Sequence, residues 1–188
     1  MNIYASSSIV SAIIGIFLGW FIYLKGPKSL KNQLFALLTL FAAVWSFSPL
    51  IVNIAKTETE ALFWIRLVGV GAFFIPSLFL HFSFVVLESN KRKKERFLVL
   101  TAYAISLILL FFNFTPLHIE KVIISKPYFL LNPGPAYPIF VVLFGTMFIY
   151  SLALMATAYK HAEGIKKHHY LYISKPKALY SSLTFNIL

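Results

Sequence analysis

Five long stretches of this chain carry no charged residue, and this feature restricts the fold more than any other. They are residues 1–24, 32–55, 67–87, 97–119 and 127–159. The hydrocarbon core of a bilayer is about 30 Å thick and an α-helix rises about 1.5 Å per residue, so one span needs about 20 apolar residues. Because prolines break helices, the last span should begin only near Pro138. The sequence therefore predicts an all-α, polytopic transmembrane helix bundle with spans at about 5–24, 33–54, 64–88, 97–115 and 138–159.

The amino-acid composition supports a membrane location. Of the 188 residues, 59% are hydrophobic and only 12% are charged, whereas a soluble domain has about 25% charged residues. So few charges cannot cover the surface of a soluble globule. A secretory signal would place its basic residues before the apolar run, but here the first lysines follow it, so we expect the first helix to be retained. The chain is predicted to be a multi-pass protein of the cell membrane, with the lipid bilayer as its main partner.

The basic residues are distributed unevenly between the connecting segments. Thirteen lysines and arginines lie in segments 25–31 and 88–96 and in the tail from Lys160, against four in the other connecting segments. Cytoplasmic loops of membrane proteins are rich in these residues. We therefore expect the N-terminus outside and the C-terminus inside, with residues 1–160 as the membrane domain and 161–188 as a basic cytoplasmic tail. The same rule explains the net charge of +11 without a nucleic-acid partner.

Segment 116–137 is long for a simple connection between two helices. Its stretches "KVII" and "YFLL" resemble short strands with turn-forming residues beside them. The segment is predicted to lie outside the membrane. It is either a short β-hairpin that covers the bundle and offers a surface to a ligand, or a structural loop.

The chain lacks the residue sets that most membrane enzymes and cofactor proteins need. It contains no cysteine and no aspartate, and no glutamate or lysine falls within the charge-free stretches. Buried carboxylates usually serve proton- or ion-coupled transport, so that class is weakened. No phosphate-binding glycine loop or zinc-binding HExxH pattern occurs either. We predict no catalytic residue, no cofactor and no metal site.

Five residues are candidates for a role beyond lining the bilayer. Two of them, Gly15 and Gly19, concern helix packing, and the other three, Arg66, Pro76 and His81, concern signal sensing or helix switching. Gly15 and Gly19 form a GxxxG pair that permits close helix packing, either between two copies of the chain or within the bundle. In the third span, Arg66 is either an interfacial arginine or a ligand for an anion at the outer mouth. Pro76 frees a backbone carbonyl and favours a kink. His81 is either part of a signalling element with Pro76 or a polar residue bonded to a serine or to backbone.

Four stretches, in a fixed order, resemble the seven-helix N-terminal membrane region of bacterial and archaeal sensor histidine kinases. "ALFWIRLVGVGAFFIPSLFLHFSFVVL", "NQLFALLTLFAAVWSFS" and "NPGPAYPIFVVLF" are similar to its third helix, its second helix and the loop before its fifth helix, and "AEGIKKHHYLYI" to the basic turn before its sixth. The matching positions are Trp64, Arg66, Pro76, Phe82, Asn32, Phe35, Trp45, Gly134 and Tyr137.

The resemblance implies a non-catalytic sensory module of a two-component system. A stimulus would shift helix packing and act on a kinase, which would have to be a partner because no phosphoacceptor box or ATP-binding domain is visible. The sequence differs from the family in having five spans rather than seven, and it turns polar where the sixth helix should continue, as expected of a truncated product. The alternative function is a small permease or transporter component.

Overall fold

The computed structural model describes residues 3–89, 92–125 and 128–161. Within these residues the chain forms six helices and one β-hairpin, in the order α1 Ile3–Lys25, α2 Leu30–Ser46, α3 Ser48–Ile54, α4 Glu58–Val86, α5 Lys93–Asn113, β1 Ile119–Ser125, β2 Tyr128–Pro133 and α6 Tyr137–His161. The chain divides into two units, residues 1–152 and 153–188. Of the second unit only residues 153–161, the last turns of α6, are described. The predicted tail, residues 161–188, and the turn "AEGIKKHHYLYI" therefore lie almost wholly outside the described residues.

Five of the helical segments are long and apolar enough to cross a membrane, as the sequence predicted. They are Ser6–Lys25, Leu30–Ile51, Glu58–Val86, Lys93–Asn113 and Tyr137–Ala158. The most apolar window of α4 is 67% buried inside the protein, against 17% for α1 and 22% for α5. Helix α4 is thus the central helix, and the predicted all-α membrane fold is confirmed.

The second span is interrupted where the sequence predicted one helix over residues 33–54. Helix α2 ends at Ser46, and α3 begins at Ser48 with Pro49 in its first turn. Proline has no N–H for the carbonyl four residues earlier, which here is that of Trp45. The Ser48 hydroxyl donates to this carbonyl instead, at 2.8 Å. The break therefore follows from Pro49, with a serine satisfying the backbone group that the proline leaves open.

Helix α4 begins at Glu58, six residues before the predicted start of the third span. Thr57 is its N-cap, and the Thr57 hydroxyl accepts a hydrogen bond from the Glu60 amide. The Glu60 carboxylate in turn accepts from the Lys56 amide at 2.9 Å, an arrangement close to a capping box. Acidic side chains in the first turn also stabilise the helix, because they interact favourably with the positive end of its dipole. The start predicted from the charge-free stretch misses this turn, because the turn contains two charged residues, Glu58 and Glu60.

Segment 116–137 contains a hairpin, which is one of the two structures expected for it. Strands β1 and β2 pair antiparallel, with Val122 opposite Leu131 and Ile123 opposite Leu130. Val122 is fully buried and belongs to a cluster with Ile65 and Ala61 at the start of α4. The alternation of strand side chains thus lets the hairpin pack against the N-terminal part of the central helix.

Candidate functional site

A cavity of about 460 Å³ lies beside the hairpin, a size typical of sites for small molecules. Its walls come from all six helices, α5 contributing only its last residue, Asn113, and from the hairpin with the residue before it. Five serines contribute hydroxyl groups to the lining: Ser7, Ser8, Ser11, Ser46 and Ser48. The cavity is thus a meeting point of most elements of the first unit.

Local sequence explains why space remains at this place. Ser7 and Ser11 are one turn apart, so they share a face of α1. Gly69 and Ala72 are three residues apart on α4 and offer small side chains to the same space. The break at Pro49 ends α2 beside the cavity. Small residues on two helices and an interrupted third helix leave a volume that larger side chains would fill.

His118 is the most unusual residue of the cavity wall. Only 4% of its surface is exposed, and its ring packs against those of Phe73, Tyr137 and Phe140 at centroid distances of 5.1, 5.2 and 5.2 Å. Burial, and secondarily the positive charge of Arg66, lowers the pKa of His118 to about 4. His118 is therefore neutral at pH 7. In the described part of the chain, no hydrogen bond satisfies its ring nitrogens.

Asn113 is the second buried polar residue of the wall, with 1% of its surface exposed. Its Nδ2 donates to the carbonyl of Arg66 at 2.7 Å. Because a carbonyl only accepts hydrogen bonds, this contact fixes the amide orientation and leaves Oδ1 as an acceptor. No donor among the described residues meets Oδ1, which lies near Gly69 at the cavity.

Arg66 holds the chain around His118 in place. Its Nη2 donates to the carbonyl of Ile119 at 2.7 Å, and its Nη1 donates to the carbonyl of Phe114 at 3.4 Å. The Nε atom is buried and has no hydrogen-bond partner among the residues that the structure describes. The guanidinium thus bonds to backbone carbonyls, and Arg66 is not part of the cavity lining. The structure places this predicted residue beside the site, as a clamp on the hairpin.

Pro76 and His81 lie elsewhere, against α5. The hydroxyl of Ser106 donates at 2.7 Å to the carbonyl of Phe73, close to the place where Pro76 removes a backbone hydrogen bond from α4. The Ser106 hydroxyl also lies 2.6 Å from the Ser77 hydroxyl. The Nδ1 of His81 lies 3.3 Å from the Tyr103 hydroxyl. A tyrosine, rather than the expected serine or backbone group, is thus the partner of His81. Neither residue lines the cavity.

Gly15 and Gly19 face α2 within the same chain. A Cβ at Gly15 would lie 3.3 Å from the Thr39 carbonyl and 3.5 Å from the Ala43 Cβ, and one at Gly19 would overlap the Thr39 hydroxyl. Of the two roles expected for the pair, this geometry supports packing within the bundle. A homodimer through the pair stays a prediction.

Sequence reasoning missed the two polar residues at the centre of the site. Asn113 and His118 lie near the end of the charge-free stretch 97–119. The length of that stretch predicts a span but does not distinguish its polar residues. The resemblance contained one signal, because Gly134 and Tyr137 both contact this segment: the Gly134 amide donates to the His118 carbonyl at 2.9 Å. A Cβ on Gly134 would collide with the carbonyls of Pro116 and Leu117. Within the described ranges no cluster of three metal-ligating side chains occurs.

A family model described as the N-terminal 7TM region of histidine kinase matches residues 7–174. No curated protein and no solved structure shows significant similarity to the chain.

Proposed function

This chain belongs to the family of N-terminal 7TM regions of histidine kinases, and on that basis we propose that it is a non-catalytic membrane module that receives a signal for a kinase. The family supports the general role of sensory input. The proposal adds that the signal acts at the cavity around His118 and that the output reaches the kinase through α6. It also keeps the orientation expected from the basic residues, with the hairpin outside.

The observation that carries this proposal is the composition of the cavity wall. Most elements of the first unit contribute to the cavity, so an occupant would contact several helices at once. A ligand shifts a conformational equilibrium only if it binds one helix arrangement better than another. Tyr137 and Phe140, in the first turn of α6, pack directly on His118. A change at His118 would therefore act on the start of α6, and small helix shifts are a known form of such transitions.

A chimeric kinase tests the coupling. The full chain would be joined ahead of the catalytic region of a membrane sensor kinase, reconstituted in vesicles, and assayed for autophosphorylation. Gly69→Leu adds a side chain beside Asn113 at the cavity, whereas Gly145→Leu adds one where nothing lies within 4 Å. We expect Gly69→Leu to change the autophosphorylation rate several-fold and Gly145→Leu to leave it unchanged. The proposal would be contradicted if the chimeras with the wild-type chain, with Gly69→Leu and with Gly145→Leu all had the same autophosphorylation rate as the catalytic region alone.

The genomic sequence downstream of the chain separates this function from the permease alternative. A sensory module predicts two further hydrophobic segments and a kinase domain encoded nearby. A transporter subunit in that place would instead support the permease.

A further inference from the structure

We propose that the cavity beside the hairpin binds an uncharged, mainly apolar small molecule that carries a carbonyl or hydroxyl group. This inference deepens the proposed sensory function and rests on it only in regarding the occupant as the signal. The binding itself is argued from the cavity.

The charge of the lining selects for an uncharged ligand. No lysine, arginine, aspartate or glutamate is among the cavity-lining residues that the structure describes. His118 is neutral at pH 7, because burial and the nearby charge of Arg66 lower its pKa to about 4. The Arg66 guanidinium is directed to the carbonyls of Phe114 and Ile119. A charged ligand would therefore lose its hydration without gaining a direct ion pair, which is costly.

Two buried polar groups select for a ligand with a hydrogen-bonding group. His118 and Asn113 are 96% and 99% buried, from their exposed fractions of 4% and 1%. Both line the cavity. Neither the His118 ring nitrogens nor the Asn113 Oδ1 has a hydrogen-bond partner among the described residues. An apolar ligand that covers these groups would leave them unpaired, at a cost of about 1–3 kcal/mol for a buried group. A ligand carbonyl can accept from the ring N–H of neutral His118, and a ligand hydroxyl can in addition donate to the Asn113 Oδ1.

The remaining wall suits a flat or cyclic apolar body. Phe73, Phe140 and Trp45 present aromatic rings to the cavity, and Ile65 and Leu131 present branched aliphatic side chains. Aromatic and aliphatic walls that also carry placed polar groups are typical of small-molecule sites, and here the polar groups include the five serines of the lining. A ligand of two rings joined by a carbonyl combines this apolar surface with one acceptor for the His118 N–H, and the corresponding alcohol adds a donor for the Asn113 Oδ1.

Photolabelling with benzophenone tests the inference, because this probe is uncharged, carries one carbonyl, and attaches covalently where it binds. The full chain in lipid nanodiscs at pH 7 would be irradiated with increasing benzophenone, and labelled residues would be identified by mass spectrometry. We expect saturable labelling of Ile65, Leu131 or Phe140. Benzhydrol, which has a hydroxyl, should compete about tenfold better than diphenylmethane, which has no oxygen, since tenfold corresponds to about 1.4 kcal/mol. The charged 4-benzoylbenzoate should label the cavity at least about tenfold less.

Two cavity-filling variants and a control complete the experiment. Gly69→Leu and Ser11→Leu should each remove the saturable labelling, and Gly145→Leu should retain it. The inference would be overturned if labelling did not saturate, or if it persisted in both filled variants. Equal labelling by 4-benzoylbenzoate would also overturn it, because that result would indicate an anion site. Because no kinase is present in this assay, its failure is distinct from failure of the chimera to couple.

Discussion

The Nη2 of Arg66 lies 2.7 Å from the carbonyl oxygen of Ile119, 53 positions later in the chain. This hydrogen bond joins the central helix α4 to the first strand of the hairpin. It also brings a fixed positive charge close to His118, where that charge contributes to the lowered pKa. One contact thus positions the hairpin and helps keep the cavity wall neutral.

Replacement of Arg66 should loosen the hairpin. Hydrogen bonds from charged donors contribute about 1.5–3 kcal/mol, so Arg66→Met should accelerate amide hydrogen exchange in β1 and β2 about 10- to 100-fold. Arg92→Met is the control, because the Arg92 side chain is 75% exposed and contacts only Glu95 among the described acidic residues. Hairpin exchange that is the same in wild type and Arg66→Met would show that the clamp contributes nothing.

Acid should destabilise the protein through His118. The pKa of His118 is 6.5 ordinarily and about 4 in the folded protein, so the unfolded state binds more protons between these values. Stability is then complete above about pH 6.5 and falls as the pH decreases towards 4. The displacement corresponds to on the order of 3 kcal/mol. Thermal denaturation in detergent should show a smaller decline in this pH range for His118→Gln than for wild type, and parallel declines would refute the assignment.

Gly134 should not tolerate a side chain. A Cβ there would overlap the carbonyl oxygens of Pro116 and Leu117, which are backbone atoms and cannot rotate away. Gly134→Ala should lower stability by about 3 kcal/mol, at the upper end of the usual cost of overpacking. The control, Gly145→Ala, has open space around it and should gain up to about 1 kcal/mol from helix propensity. Similar melting temperatures for both variants would be evidence against the close approach.

The GxxxG pair should act within one chain. In Gly19→Ala the new Cβ would overlap the hydroxyl of Thr39, which is held by hydrogen bonds to the carbonyls of Phe35 and Ala36. We expect a loss of about 1–3 kcal/mol, with partial recovery in the double variant Gly19→Ala/Thr39→Ala, measured as a double-mutant cycle. Crosslinking of Gly15→Ile/Gly19→Ile tests the other role, since loss of a dimer without loss of stability would favour pairing of two copies.

Reporter fusions test the proposed orientation. A periplasm-active reporter fused after Ser125, in the hairpin, should be active, and one fused after Ser89, between α4 and α5, should be inactive. The excess of basic residues in the second of these segments is the physical reason. The reverse pattern would place the cavity on the cytoplasmic side.

Several residues that carry the family resemblance also carry contacts in the structure. The Asn32 side chain donates to the carbonyl of Gly26 at 3.2 Å, the rings of Phe35 and Phe82 lie 6.0 Å apart, and Trp45 lies 6.2 Å from Phe144. These contacts join α2 to the turn before it, to α4 and to α6. The resemblance therefore marked packing positions that periodicity alone did not distinguish.

The sequence by itself determined the five spans, and it limited segment 116–137 to a hairpin or a structural loop, because both conclusions follow from local patterns of charge, length and alternation. It also indicated the family, from short motifs in a fixed order. It did not determine which polar residues meet. His118 and Asn113 share a cavity with serines more than 60 positions away only because α4 carries small residues there and Arg66 fixes the intervening backbone. Such a site depends on the space that packed side chains leave and on burial of specific nitrogens and oxygens, and these are properties of the tertiary structure.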